Sequence, residues 1–286
     1  MEVTFHGVRG SIPAPGPETV RYGGNTCCVS VKAASGKLLI LDMGTGIIGL
    51  GKQLLRTEFG KGKGHGGILL SHAHWDHIQG FPFFAPVFIP GNRFTVFGPA
   101  QSASMPEGIL EGQVNPHFSP LQTMKNLGAM FELQPVPTDN DPPPILWEGI
   151  AISGRPNPHG PSTCMAYRIE EQGRSVVYAP DAGYPDSGPS EEVLRLYQGA
   201  DLLIHDATYT PEDRSVRRSR GYSSFADAAY AAVRAQVRRL ALFHFDQDYS
   251  DDVVDQIYAR CRELLDSLGG RHIELIASRE GSSLSL

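Results

Sequence analysis

The chain has 286 residues, 41% of them hydrophobic, which is enough for a sizeable core and excludes a disordered protein. Its net charge of −6 argues against a surface made for long nucleic acid and leaves room for a small anionic substrate held by local positive charge. No apolar run approaches the ~18–20 residues that span a bilayer, and MEVTFHGVRGS lacks the basic-then-apolar pattern of a secretion signal.

These features predict one cytoplasmic, non-membrane domain over 1–286. The four cysteines, Cys27, Cys28, Cys164 and Cys261, fit neither a disulfide framework nor a CxxC zinc site. They read as small buried residues, with Cys27 and Cys28 on opposite faces of a strand.

In chain order, Gly7–Ser11 is a Gly-rich loop carrying Arg9, which either forms a surface salt bridge or binds phosphate. Short apolar runs follow at Leu38–Leu41, Ile68–Leu70, Phe94–Phe97, Ile145–Ile152, Met165–Ile169, Val176–Ala179, Leu202–Ile204 and Leu240–Phe243. Each is bounded by turn residues and reads as a buried strand. Phe81, Phe83 and Phe84 suggest core or a dimer contact ahead of a base-stacking shelf. Pro135–Pro144 reads as a surface loop, or as an edge between half-domains. A helix is expected over Phe225–Val237, capped by Ser223 or Ser224. Another begins with Asp251 and Asp252 in its first turn, with Val254, Ile257, Tyr258, Cys261, Leu264 and Leu265 at helical spacing. Strands and helices alternate unevenly, so the class is α/β.

The runs end on polar residues of one kind. Leu38–Leu41 ends in Asp42, Ile68–Leu70 in Ser71-His72-Ala73-His74-Trp75-Asp76-His77, Val176–Ala179 in Pro180-Asp181, Leu202–Ile204 in His205-Asp206, and Leu240–Phe243 in His244. Five buried strands delivering such groups to the sheet rim predict one shared polar site at their carboxyl ends. His72 and His74, two apart, share a face and can grip one ion; Asp76 and His77, past the turn, can face a second. Imidazole and carboxylate together suit Zn²⁺, with Mn²⁺ or Fe as alternatives. Taken singly, His159 reads as a solvated loop residue, Asp181 as a turn cap and His244 as a core histidine.

Their order along the chain resembles the metallo-β-lactamase superfamily: HxHxDH, then a His, an Asp and a His. The resemblance covers nearly the whole chain and implies a four-layer αββα sandwich with the site at the edge between the sheets. It implies that His72, His74 and His159 hold the first metal, that Asp76, His77 and His244 hold the second, and that Asp181 bridges them. Asp42 matches an aspartate that orients a ligand histidine. Asp at 181, where the main β-lactamases carry Cys, disfavours lactam hydrolysis, and His74 excludes the flavin-linked di-iron members.

SHAHWDHIQGFP over 71–82, LIHDATY over 203–209, RGSIP and RYGGNTC are similar to the branch holding RNase Z and small phosphodiesterases that act on cyclic nucleotides. RNase Z carries an arm for transfer RNA between the third ligand His and the bridging Asp. Here the interval from 159 to 181 is 22 residues, too short for an arm. The interval from 181 to 244, 63 residues, likewise excludes the extra domain of the β-CASP nucleases. The expected function is hydrolysis of a small phosphodiester, such as a cyclic nucleotide, by water activated between two metals. Carbon-ester hydrolysis (a lactone or thioester) and a non-catalytic metal sensor are the alternatives. The resemblance also suggests a homodimer. It makes Asp206 part of the acid that protonates the leaving oxygen, and Tyr222 stands in Gly221-Tyr222-Ser223-Ser224 where a His is expected.

Overall fold

The computed structural model describes residues 1–99, 107–114, 117, 123, 126–138 and 142–286. Within them the first half gives strands β1 (Glu2–Gly7), β2 (Cys28–Lys32), β3 (Leu38–Leu41), β4 (His65–Leu69), β5 (Arg93–Pro99) and β6 (Met130–Val136). The second half gives β7 (Ile145–Trp147), β8 (Ile150–His159), β9 (Ser162–Glu171), β10 (Arg174–Ala179), β11 (Leu202–Asp206), β12 (Arg239–Phe243), β13 (Glu274–Ala277) and β14 (Ser283–Ser285). The helices are α1 (Gly46–Leu54), α2 (Trp75–Ile78), α3 (Glu107–Gln113), α4 (Glu191–Tyr197), α5 (Pro211–Val216), α6 (Phe225–Arg234) and α7 (Asp251–Ser267).

Among the described residues the strands form two seven-stranded sheets, ordered β14-β1-β2-β3-β4-β5-β6 and β13-β12-β11-β10-β9-β8-β7. β3 to β6 run parallel in one sheet, and β10 to β13 in the other. The period-2 alternation of a strand sorts side chains into layers. Leu39 and Leu41 face the inter-sheet core with Leu69, Phe97, Met165, Tyr167 and Val177, while Ile40 and Ile68 face outward onto Ile47, Leu50 and Leu54 of α1. Helices α4, α6 and α7 cover the second sheet. The result is the αββα sandwich. Within these runs β3, β4 and β5 and β10, β11 and β12 are buried on two faces, which is why they appear in the sequence as largely apolar stretches.

Several expectations are corrected. The run Ile145–Ile152 is not one strand: Glu148 and Gly149 take left-handed conformations (φ 51° and 85°) and close a two-residue hairpin between β7 and β8. Pro135 and Val136 end strand β6, which is an edge strand, where a residue without an N–H is tolerated; 139–141 lie outside the described residues. Ser224 caps α6, and its side chain and that of Asp227 form a reciprocal capping box. Phe81 and Phe84 are core, but Phe83 is 54% exposed. Arg9 is neither at the surface nor turned to the site. It is fully buried, donating to the carbonyls of Gly23, Asp246 and Tyr249, with Asp251 3.6 Å away. No helix among the described residues is long and apolar enough to cross a membrane.

Candidate binuclear metal centre

The structure brings His72, His74, Asp76, His77, His159, Asp181 and His244 to one place, where the carboxyl ends of the two parallel runs meet. β4 ends at Leu69, and the extended chain behind it places His72 and His74 before α2 begins at Trp75 and turns Asp76 and His77 inward. His159 ends β8, at the tight turn into β9. Asp181 follows β10, and His244 follows β12. His244 adopts φ 62°, a left-handed conformation that few residues with a β-carbon occupy, and Asp42 after β3 adopts φ 59°.

The distances divide the group in two. Asp181 Oδ2 lies 3.4 Å from His72 Nε2 and 3.3 Å from His159 Nε2, and His159 Nε2 stands 3.1 Å from His74 Nδ1. Asp181 Oδ1 lies 3.5 Å from His77 Nε2 and 3.1 Å from His244 Nε2, while Asp76 Oδ2 lies 3.3 Å and 3.1 Å from the same nitrogens. Two atoms each ~2.0–2.1 Å from a tetrahedral Zn²⁺ stand roughly 3.3–3.4 Å apart, so these spacings are those of ligands around two ions, with one Asp181 oxygen per ion.

The donor set fits such ions on a second count. His72 Nε2, His77 Nε2 and both Asp181 oxygens are buried without a hydrogen-bond partner, an expensive state for groups with no further role. The opposite ring nitrogens of His72, His77, His159 and His244 are occupied. His77 Nδ1 donates to Asp42 Oδ2 (2.7 Å), His159 Nδ1 to the Gly221 carbonyl (2.8 Å), His72 Nδ1 to Ser71 Oγ (3.1 Å) and His244 Nδ1 to Thr208 Oγ1 (2.8 Å). Outer partners of this kind fix the tautomer and aim the free nitrogen inward.

Electrostatics agree. Burial favours neutral His77 and His244, but Asp76 beside the first and Asp181 beside the second outweigh it and raise both well above the ordinary histidine range. Burial likewise opposes ionised Asp181, yet His244 and His77 hold it well below the carboxylate range. His72, buried and next to His77, is lowered. The carboxylates thus favour positive charge at His77 and His244, while burial favours the neutral form at His72 and His74.

Asp206 lies next to the centre, behind His244. Burial pushes its carboxyl up to about 7, a value suited to an acid. Its side chain is nonetheless fully buried, and both oxygens are engaged. Oδ2 accepts from the amides of Ala182 and Ser223, and Oδ1 from the Thr208 amide and hydroxyl. Geometry decides before pKa. Asp206 is linked to His244 through Thr208, whose hydroxyl donates to Asp206 Oδ1 and accepts from His244 Nδ1. Tyr222 does reach the centre, its ring 4.9 Å from that of His159 and stacked 5.3 Å from that of His244. Burial, helped by Asp181, raises its phenol above the usual tyrosine value.

Sequence reasoning left out Thr208 and Ser71, which hold ligand rings, although both sit inside the segments HDATY and SHAHWDH. It also left out Gly10, whose β-carbon, if present, would lie 2.2 Å from His244 Cε1. Its place in the Gly-rich loop Gly7–Ser11 and in RGSIP was the available signal.

Two clefts open beside the centre. One is lined by His72, His74, Pro99, Pro156, Ser162 and Met165. The other, of about 440 Å³, is lined by Tyr222, Tyr184, Arg214, Arg218 and the backbone at Gly160 and Gly183.

Comparison with known proteins converges on the same family. The model of the beta-lactamase superfamily domain matches residues 40–245. A ribonuclease Z of Sulfurisphaera tokodaii is 40% identical over 85 residues, 30% of this chain, and that match spans only 27% of the relative's length. A ribonuclease Z of Natronomonas pharaonis is 26% identical over 88% of this chain and 89% of its own. The crystal structure of the metallo-β-lactamase fold protein YhfI from Bacillus subtilis superposes with a TM-score of 0.69 at 20% identity, covering 99% of this chain and 98% of that one. The chain therefore belongs to the metallo-β-lactamase superfamily, and ribonuclease Z proteins are among its relatives.

Proposed function

We propose that this protein is a metal-dependent phosphodiesterase of the RNase Z-like branch, acting on a small phosphodiester such as a nucleoside cyclic monophosphate. The observation that carries the reading is what occupies the interval between His159 and Asp181. It holds the hairpin turn, β9 and β10, paired to their neighbours throughout, with no protrusion on which a folded RNA would rest. The net charge of −6 supports the same reading, and a cleft of about 440 Å³ is within the usual size of small-ligand sites.

Two divalent ions held by His72, His74, His159 and by Asp76, His77, His244, with Asp181 between them, would supply Lewis-acid stabilisation of phosphoryl charge and a water acidified toward neutrality. Zn²⁺ is the proposed metal. The protein's own part is positional. Asp181 fixes the spacing of the two ligand groups, Asp42 and Thr208 keep the His77 and His244 rings aimed, and the Ser11 amide holds Asp76 Oδ2 at 2.7 Å. Tyr222 supplies the wall nearest a leaving group. We place the chain as one cytoplasmic domain that pairs with a second copy, for which the exposed Phe83 offers an apolar contact.

A second reading, processing of transfer RNA, is favoured by the match to a ribonuclease Z along 88% of the chain. One panel separates them: bis(p-nitrophenyl) phosphate, cyclic nucleotides, a precursor transfer RNA, a lactone and a thioester, each assayed with metal-loaded protein. Turnover of cyclic nucleotides with little action on the precursor is expected. Efficient cleavage of the precursor with cyclic nucleotides untouched would replace the first reading with the second, and preference for a carbon ester would overturn both.

A further inference from the structure

Cys27 packs in the inter-sheet core with no exposed surface, as a space-filling residue would. Its surroundings are unlike those of an ordinary core cysteine. Its Sγ and one ligand atom each from Asp76, His77 and His244 all lie within 4.8 Å of one another. His77 Nε2 and Asp181 Oδ1 are turned into this cluster, fully buried and without a hydrogen-bond partner. The thiol donates to the carbonyl of Arg9 at 3.5 Å and is also within hydrogen-bond reach of the His244 ring. Cys28 supplies the contrast: equally buried, it points to the other face of its strand and sits in the outer apolar cluster with Ile40 and Met43.

We propose that Cys27 is a ligand of the second metal ion, joining Asp76, His77, His244 and the Oδ1 of Asp181. The proposal rests on the binuclear reading of the centre and is independent of the substrate. On binding, the metal–sulfur bond forms as the S–H bond breaks, and the proton passes to solvent; nothing is oxidised or reduced. The two ions then have unlike surroundings. The first has three imidazoles and a carboxylate oxygen, and the second adds sulfur to two imidazoles and two carboxylates. Thiolate favours Zn²⁺ over Mn²⁺, so the second position discriminates between these metals more strongly than the first.

The test is spectroscopic. The protein is loaded with two Co²⁺ per chain and its near-ultraviolet spectrum recorded. A thiolate-to-cobalt charge-transfer band is expected in the native protein and in the triple variant Cys28→Ala/Cys164→Ala/Cys261→Ala. It is expected to vanish in Cys27→Ser, which should also hold one ion more weakly by at least the ~10–100-fold that loss of an outer partner costs. Two bound cobalt ions with no such band in the native protein, or a band that survives Cys27→Ser, would overturn the assignment. Should Cys27→Ser fail to fold, the native spectrum together with the triple variant still decides the matter. A chain that takes up no cobalt overturns the binuclear reading and this one with it, an outcome distinct from two bound ions without a band.

Discussion

The two sheets serve the centre in different ways. The first gives four candidate ligands from one short segment behind β4, His72 to His77, whose mutual placement depends on a few backbone angles. The second gives three candidate ligands from three places, His159, Asp181 and His244, whose placement depends on the pairing of β8 through β12. Even so, the sheets share a device: Asp42 after β3 and His244 after β12 both take left-handed backbone. On the first sheet that position holds a group that aims a ligand, and on the second it holds a ligand itself. The local segment tolerates change in the rest of its sheet, whereas the dispersed set registers any shift between strands.

The largest effect expected from this contrast is at Asp181, the ligand with one oxygen toward each group. Asp181→Ala should loosen both ions and lower activity by several orders of magnitude, whereas His74→Ala, at an exposed ligand of the first sheet, should loosen one. Elemental analysis reads the difference, and an Asp181→Ala protein that retains two ions would show that the halves are not joined there. Next is Gly10. A β-carbon there collides with the His244 ring, so Gly10→Ala should lose one ion per chain and most activity. Gly49→Ala, on α1 with no neighbour within 4 Å of the new atom, should keep both ions and gain up to ~1 kcal/mol in urea unfolding. Native metal content in Gly10→Ala would contradict the packing around His244.

The outer partners sharpen the comparison at a smaller scale. Asp42→Asn and Thr208→Val should each weaken metal affinity ~10–100-fold by letting a ring turn. They should differ in the metal-free protein. Asp42 accepts from the Ser71 amide and hydroxyl, His77 and Tyr178, so its change should cost ~1–3 kcal/mol of stability, against ~1 kcal/mol at Thr208. Equal unfolding midpoints for the two variants would remove the asymmetry. The smallest effect concerns Tyr222, whose phenol burial makes a weaker acid than a free tyrosine. A p-nitrophenolate leaving group should depart much faster than an alkoxide, and Tyr222→His should narrow the gap by speeding the alkoxide case. Equal native rates for both leaving groups would mean that an efficient acid is present elsewhere.

What the sequence made legible follows the same division. Four ligand-type residues in six positions after an apolar run stand out because their chemistry and proximity coincide in the chain. His159, Asp181 and His244 are each ordinary in their own neighbourhoods, and only their order, matched to a family, singled them out. The buried strands were legible because two covered faces leave no polar positions. Strand β6, reading MFELQPV, was not, because most of its side chains are exposed or half-buried, so polar residues are admitted among the apolar ones. The turn at Glu148-Gly149 was hidden because two residues suffice to reverse the chain. Arg9 misled because its charge implied a surface, while three carbonyls distant in sequence make a buried place for it. Thr208 and Cys27 were visible, but their partners lie far along the chain, so no local pattern declared them.

The hydroxyl of Tyr178, on β10, donates to Asp42 Oδ2 at 2.8 Å, so a carboxylate of the first sheet is held by a strand of the second. The same carboxylate steers His77, which makes the grip on an ion and the contact between the layers one linked set of bonds. Chelation should therefore be felt as a mechanical slackening across the sandwich. Amide protons of β3 and β10 should exchange with deuterium sooner in stripped protein than in loaded protein, while those of α7, on the far face, keep their pace.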